Sequence, residues 1–418
     1  MKDFIIKEDR LSEKERRNLS ILDAIRRGKE VSRAEISKLT NLNIVTVSNY
    51  INKYVKNKIV LETGLDISTG GRRPELLTLN RQYGYAIGID LGAAQITTDS
   101  YIIAVIMDLS GRILSKERIK KENESFEQLI ENVVSVTQRL IDKSGIHIGE
   151  IKGIGVGIWG VMDRYRNMVR YPVEDGKVIN YAGLLNSLGN KFDLPVLVEH
   201  DAALAAFGER WSGLGAVTHA DNLIFMCSDS SCGFIAGGEV YYGSTKSAGE
   251  LNLNSPIKGA GKPENCWDGY DYGCCLRSRG VDLGIPEKIK RRLAENEKDS
   301  ARILSAAGGN EENINLEVIA AAAEDEVQIA KEELENAGRY LGVKIAFLIN
   351  LFNPEVVVIG RGIEKAGSIF FQSVRKTIKE YGYEESVKVV KVLSASLGED
   401  AVAAGAAALI VKNVFIES

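Results

Sequence analysis

Four residues able to do chemistry follow directly on apolar runs: Asp90 after Ile87-Gly88-Ile89, and Glu199, His200 and Asp201 after Val196-Leu197-Val198. Carboxylates and imidazole delivered at the end of a buried strand can hold hydroxyl groups or move a proton. A second set lies near the front of the chain. Thr46, Ser48, Asn49, Asn52 and Lys53 are short polar or cationic groups within RAEISKLTNLNIVTVSNYINKYVKN at 33–57. Such groups suit phosphates and base edges. Arg72 and Arg73 in GGRRP at 70–74 suit a minor groove, where the potential of a duplex is most negative. The third set is the cysteines, Cys227, Cys232, Cys266, Cys274 and Cys275. Their odd number and the polar start MKDFIIKEDRLSEKERR point to a reducing cytoplasm rather than a secreted disulfide framework.

The DNA-type residues need a helix to present them. Residues 13–27 put Leu19, Leu22, Ala24 and Ile25 on one helical face, with Arg16, Arg17, Arg26 and Arg27 largely on the other. Ser32 with Glu35 three residues on predicts a capping box that opens a second helix. Asn41-Leu42-Asn43 makes the turn, and a third helix runs from about Ile44 to Asn57, burying Val47, Tyr50, Ile51 and Tyr54. The segment 59–80 alternates like two strands around a Gly-rich tip, which is a wing. Charge agrees: residues 1–80 carry 16 Lys+Arg against 11 Asp+Glu, and the remainder 37 against 46. A basic head on an acidic body fits duplex contact confined to the head.

From Tyr85 strands alternate with helices, through YAIGIDLGAA, IIAVIMDLSGRIL, a helix at 125–143, IKGIGVGIWGVMD and LPVLVEHDAALAAFGERW. A second round follows: NLIFMCSD, FIAGGEVYYG, a helical region at 286–341, EVVVIGRGI, a helix, VKVVKVL and AVAAGAAALIVKN. This predicts an α/β body of two similar lobes with a cleft at the strands' carboxyl ends. Trp159 reads as core, and the charged run 294–317 as a solvated helix, loop and helix start. No apolar run reaches the length needed to span a bilayer, about 20 residues.

The order of these segments resembles the ROK family of sugar kinases and sugar-responsive repressors. IGIDLGAA is similar to its first phosphate loop, GIGVGIWGVMD to its second conserved strand, and PVLVEHDAALAAFGE to the segment with the sugar-binding residues and catalytic aspartate. GGEVYYGSTKSAGE is similar to the stretch whose glutamate contacts the sugar, and LFNPEVVVIGRGI to the adenosine-side loop. The resemblance implies a winged helix-turn-helix at 1–80 and, at 81–418, a two-lobed α/β body of the actin-like ATPase (sugar kinase) type that also dimerises. It puts Asp201 at the family's base position and makes His200, Asp201 and Glu250 the effector-binding residues.

The departures separate kinase from repressor. The first loop reads Asp90-Leu91-Gly92-Ala93-Ala94-Gln95, without the family's Thr-Lys, and the second reads Ser228-Asp229-Ser230-Ser231-Cys232-Gly233 in place of Gly-Thr-Gly. Phosphoryl transfer depends on positioning and charge stabilisation, and both are reduced here. The family's zinc motif is altered too: no His follows Ala248-Gly249-Glu250, and Cys266, Asp268, Cys274 and Cys275 are what remains of the ligand set. Structural zinc normally has four N or S ligands, so no cofactor is certain and zinc is an open expectation.

The expectation is therefore a cytoplasmic, non-enzymatic, sugar-responsive repressor, binding operator DNA through Thr46, Ser48, Asn49, Asn52, Lys53, Arg72 and Arg73. Its partners would be duplex operator, a sugar or sugar derivative and a second copy of itself, as dimer or tetramer, with no membrane. The rivals are an active sugar kinase with an added DNA-binding head, and a scaffold that binds no small molecule.

Overall fold

The computed structural model describes residues 11–65, 75–92, 101–121, 125–170, 178–213, 220–228, 230–251, 282–294 and 297–418. The front of the chain forms α1 (Glu13–Gly28), β1 (Val31–Ser32), α2 (Arg33–Thr40), α3 (Ile44–Lys56), β2 (Val60–Leu65) and β3 (Glu75–Leu79), the strands ordered β1-β3-β2. The predicted capping box is present: the Glu35 amide donates to Ser32 Oγ at 3.3 Å and the Ser32 amide to the Glu35 carboxylate at 2.8 Å. Asn41 takes the left-handed conformation that ends α2 (φ 55), and the Asn43 side chain caps α3 through the Val45 amide. Ile21, Leu22, Ile25, Ile36, Val47, Ile51, Tyr54 and Leu77 are buried together, and Tyr50 is half-buried against them.

The body begins with β4 (Tyr85–Asp90), β5 (Tyr101–Asp108), β6 (Ile113–Lys120), α4 (Phe126–Ser144) and β7 (Ile151–Ile158). It continues through the small ladder β8 (Val161–Asp163), β9 (Met168–Arg170) and β10 (Val178–Asn180) to α5 (Ala182–Phe192), β11 (Val196–His200) and α6 (Asp201–Ser212). The sheet runs β6-β5-β4-β7-β11, with β4, β7 and β11 parallel and β5 and β6 antiparallel.

The second lobe holds β12 (Leu223–Met226), β13 (Cys232–Ala236), β14 (Glu239–Val240), α7 (Ile285–Arg292), α8 (Glu297–Ala306), α9 (Leu316–Glu324) and α10 (Gln328–Phe352). Then come β15 (Val356–Ile359), α11 (Gly367–Tyr381), α12 (Glu384–Val389), β16 (Lys391–Ser394) and α13 (Ala401–Glu417). Its sheet, β14-β13-β12-β15-β16, repeats the first: an antiparallel hairpin beside three parallel strands. The expected two similar lobes are thus present. One element differs: the first half of VKVVKVL ends α12, and only the second half pairs with β15. Alternation along that stretch is too short to separate a helical turn from an edge strand.

The C-terminal helix α13 is buried along most of its length between the first sheet and α6. Glycines make this possible. A Cβ at Gly88 would lie 1.9 Å from the Ala403 carbonyl oxygen, and one at Gly405 would lie 1.8 Å from that of Leu204. Hydrogen at these positions lets sheet, α13 and α6 approach backbone to backbone. Trp159 is core, a buried member of the apolar cluster of the first lobe.

Candidate functional site

The parallel strands of both sheets end at one place. β4 ends in Asp90; β11 ends in His200, with Asp201 opening α6; β12 leads into Cys227-Ser228; and β15 leads into Gly360-Arg361. The Gly360 amide donates to the Met226 carbonyl at 3.2 Å, joining the last two loops.

Glu199, His200 and Asp201 are all buried. His200 Nε2 is 2.9 Å from Glu250 Oε1. Burial disfavours charge on the imidazole, but the Glu250 hydrogen bond and the Asp201 and Glu250 carboxylates outweigh it and hold its pKa above the ordinary value. Glu199 accepts the His200 amide at 2.7 Å and pairs with Arg164. His200 is the N-cap residue of α6, and its side chain makes no capping bond. Its ring is committed to Glu250 rather than to the helix end. Among the described residues, Glu250 Oε2 and Ser231 Oγ are buried without a hydrogen-bond partner. The two residues face each other across an isolated antiparallel bridge. An unmatched carboxylate oxygen beside an unmatched hydroxyl suits a polyhydroxy ligand, because a buried acceptor without a donor is costly.

The residue that completes the cleft is Arg361, which sequence reading passed over. Its guanidinium pairs through Nη1 with Asp201 Oδ2 and reaches Asp90 Oδ1 through Nη2 at 3.2 Å. The contact crosses from the second lobe to the first. Burial works against its charge, but Asp201 and Asp90 more than compensate, so its pKa rises. Burial pushes the Asp90 carboxyl above its usual range, with Arg361 pulling back. Burial likewise raises the thiols of Cys227 and Cys232, which removes them as nucleophiles. The available signal for Arg361 was a cation flanked by Gly360 and Gly362 at a strand end.

The second loop is also filled from within. Ser228 Oγ accepts the amides of Ser230 and Ser231, both at 3.1 Å, and is 2.8 Å from Ser230 Oγ. Backbone N–H groups that would cradle a phosphate oxygen are spent on a serine hydroxyl. Among the described residues, those that would meet a nucleotide's divalent cation and phosphate are already engaged: Arg361 holds the carboxylates, and Ser228 holds two amides. Ala94, Gln95 and Asp229 lie outside the described residues, as do Arg72, Arg73 and the four zinc candidates Cys266, Asp268, Cys274 and Cys275.

On α3, Asn49 and Asn52 are exposed and Thr46 and Ser48 half-exposed. Asn52 Oδ1 receives a long contact from Arg33 at 3.4 Å. Lys53 does not project freely: its ammonium donates to the Ser418 carbonyl. Val45, 63% exposed at the start of α3, went unnoticed as an apolar group able to meet a thymine methyl. The reading of Arg26 as an outward cation needs correction. It is buried where α1 meets the body, stacked 4.0 Å over the Trp211 ring and donating to the Trp211 carbonyl at 2.6 Å. Periodicity placed it off the buried stripe of α1, but α13 and the end of α6 cover that second face. Asn18 adds a bond to the Ile416 carbonyl at 3.1 Å and accepts from Tyr54 at 2.7 Å.

Fold and cleft together define a two-lobed protein of the sugar-kinase type with a helical module in front. The chain belongs to the ROK family, which it matches over residues 86–413. It is 26% identical over 400 residues to a xylose repressor of Bacillus subtilis (strain 168), covering 94% of each chain. Among solved structures it resembles a ROK family transcriptional regulator that is a homolog of the E. coli Mlc protein, with TM-score 0.71, 22% identity and 97% of each chain covered. It also resembles a ROK family glucokinase from Streptomyces griseus solved with glucose and AMPPNP, with TM-score 0.63 and 25% identity, covering 78% of this chain and 99% of that one. No described helix is long and apolar enough to cross a membrane.

Proposed function

We propose that this chain is a sugar-responsive, DNA-binding transcriptional repressor, and that its body senses the sugar without phosphorylating it. The observation that carries the reading is the cleft: Arg361 neutralises Asp201 and Ser228 takes the phosphate-loop amides, while Asp201 keeps acceptor sites for a hydroxyl and Glu250 Oε2 and Ser231 Oγ are left for a ligand. Names of relatives support the same reading; the B. subtilis relative is a xylose repressor. Residues 1–80 act as a winged helix-turn-helix and 81–418 as effector and dimerisation domain, in the cytoplasm. In a dimer, two α3 helices about 34–36 Å apart would read a palindromic operator.

Sugar hydroxyls would hydrogen-bond to His200, Asp201 and Glu250. The signal has a short route. Asp201 opens α6, and Trp211 near its far end holds Arg26 of the head. A helix of 12 residues spans about 18 Å, so a shift at its first turn moves the seat of the head. A sugar that binds the two seatings unequally changes operator affinity by that difference.

The test is thermal unfolding of the full chain with a panel of monosaccharides and sugar phosphates, each with and without Mg-ATP, followed by operator selection from a random duplex pool. A midpoint shift from one sugar, indifferent to nucleotide, and release of the selected duplex by that sugar is the expected result. A shift that needs ATP, accompanied by ADP production, overturns it in favour of the kinase.

A further inference from the structure

Two buried carboxylates, Asp90 and Asp201, are paired with one guanidinium, Arg361; the His200 ring also lies 3.6 Å from Asp201 Oδ1, and Lys121 acts on Asp90 from outside the pair. Buried carboxylates in one site need compensating charge, because each is costly alone. The guanidinium supplies it from a conformation that an Arg does not choose by itself. Arg361 sits at φ +59, in the left-handed region, followed by Gly362 at φ +100. For a non-glycine residue that backbone is strained and persists only where its surroundings hold it. The paired carboxylates hold it there. The fork geometry of the guanidinium also matters: its separate nitrogens face acids from different elements, the end of β4 and the start of α6. A lysine ammonium offers one point charge.

We propose that Arg361 is the specificity-determining residue that closes the cleft to divalent metal, and hence to nucleotide, by holding its own positive charge between Asp90 and Asp201 where a metal ion would otherwise bind. Oxygen donors from two carboxylates freed of their guanidinium are what a hard divalent cation takes. The inference rests on the sensor reading only in that it accounts for the lost phosphoryl chemistry, and its test uses neither sugar nor DNA.

The experiment is titration of metal-stripped full-length protein with manganese chloride, followed by calorimetry and by thermal unfolding. Arg361→Gly suits the test because glycine is at ease at φ +59. The wild type should show no binding that depends on Asp90 and Asp201. Arg361→Gly should bind manganese about tenfold or more tightly relative to wild type, and Asp90→Asn added to it should abolish the gain. Arg361→Lys should gain none. A folded Arg361→Gly that binds manganese no better than wild type overturns the proposal. So does wild-type binding that the double change Asp90→Asn, Asp201→Asn removes, since metal and Arg361 would then coexist. If Arg361→Gly does not fold, charge balance decides by another route. The neutral triple Asp90→Asn, Asp201→Asn, Arg361→Gln should unfold at a higher temperature than the Asp90→Asn, Asp201→Asn double that strands Arg361. The reverse order refutes the counter-charge role. A protein deaf to every sugar that still gains metal on Arg361→Gly loses the sensor reading and keeps this one.

Discussion

Arg26→Ala should separate the DNA-binding head from the sugar signal. The side chain stacks 4.0 Å over Trp211, donates to the Trp211 carbonyl at 2.6 Å and pairs with Asp23 at 2.7 Å. A charged donor on a buried carbonyl contributes about 1.5–3 kcal/mol, and a desolvated cation over an indole about 2 kcal/mol. Burial opposes both, since it lowers the Arg26 pKa despite Asp23. A net of roughly 2–3 kcal/mol corresponds to about a 30–150-fold weaker seating of α1 on the body. Allosteric couplings are typically about 1–3 kcal/mol, so this loss removes most of the coupling this seat can carry. The change removes no apolar group from the body's core, although it uncovers one face of Trp211. Fluorescence anisotropy of selected operator, with and without the inducing sugar, reads the coupling. Hydrogen exchange over residues 13–28 reads the seating. The variant should keep operator binding, lose most of the sugar-dependent change and exchange faster over α1. If the sugar response keeps its wild-type size while α1 exchanges faster, the head does not take its signal through Trp211.

Asp201→Asn and Glu250→Gln each replace a charged acceptor and should weaken sugar binding by about 10–150-fold, from roughly 1.5–3 kcal/mol per bond. Calorimetry with the inducing sugar checks this. His200 has a folded pKa above its ordinary 6.5. Its pairing with Glu250 therefore contributes fully below that value and is lost as pH rises through the raised one. The unfolding midpoint measured from pH 6 to pH 9 should fall with a component that His200→Gln removes. Val343, Phe347 and Leu351 recur every four residues along α10 and are 36%, 64% and 61% exposed. This stripe is the expected contact with a second copy, so Phe347→Asp should lower the sedimentation coefficient toward that of a monomer; an unchanged coefficient refutes the stripe as a self-association surface.

Several features were readable from local pattern because local physics sets them. Ser32-x-x-Glu35 is a capping box in the sequence and in the structure, since both partners lie within one turn. Asp90, His200 and Asp201 follow their strands because an apolar run must end where polar groups can meet a ligand. The apolar spacing of Val47, Ile51 and Tyr54 decided which face of α3 is buried. The segment order alone was enough to place the chain beside the ROK family.

What tertiary structure decided are contacts between groups far apart in the chain. Arg361 lies 160 residues from Asp201 and 271 from Asp90, and no local pattern pairs them. Arg26 belongs to the polar side of α1 by periodicity, yet Trp211, 185 residues away, buries it. Ser228 reads as a damaged phosphate loop, while the folded loop uses its hydroxyl to satisfy the buried amides of Ser230 and Ser231. In each case a residue's type limits what it can do, and the partner that folding brings within hydrogen-bond reach determines which of those things it does.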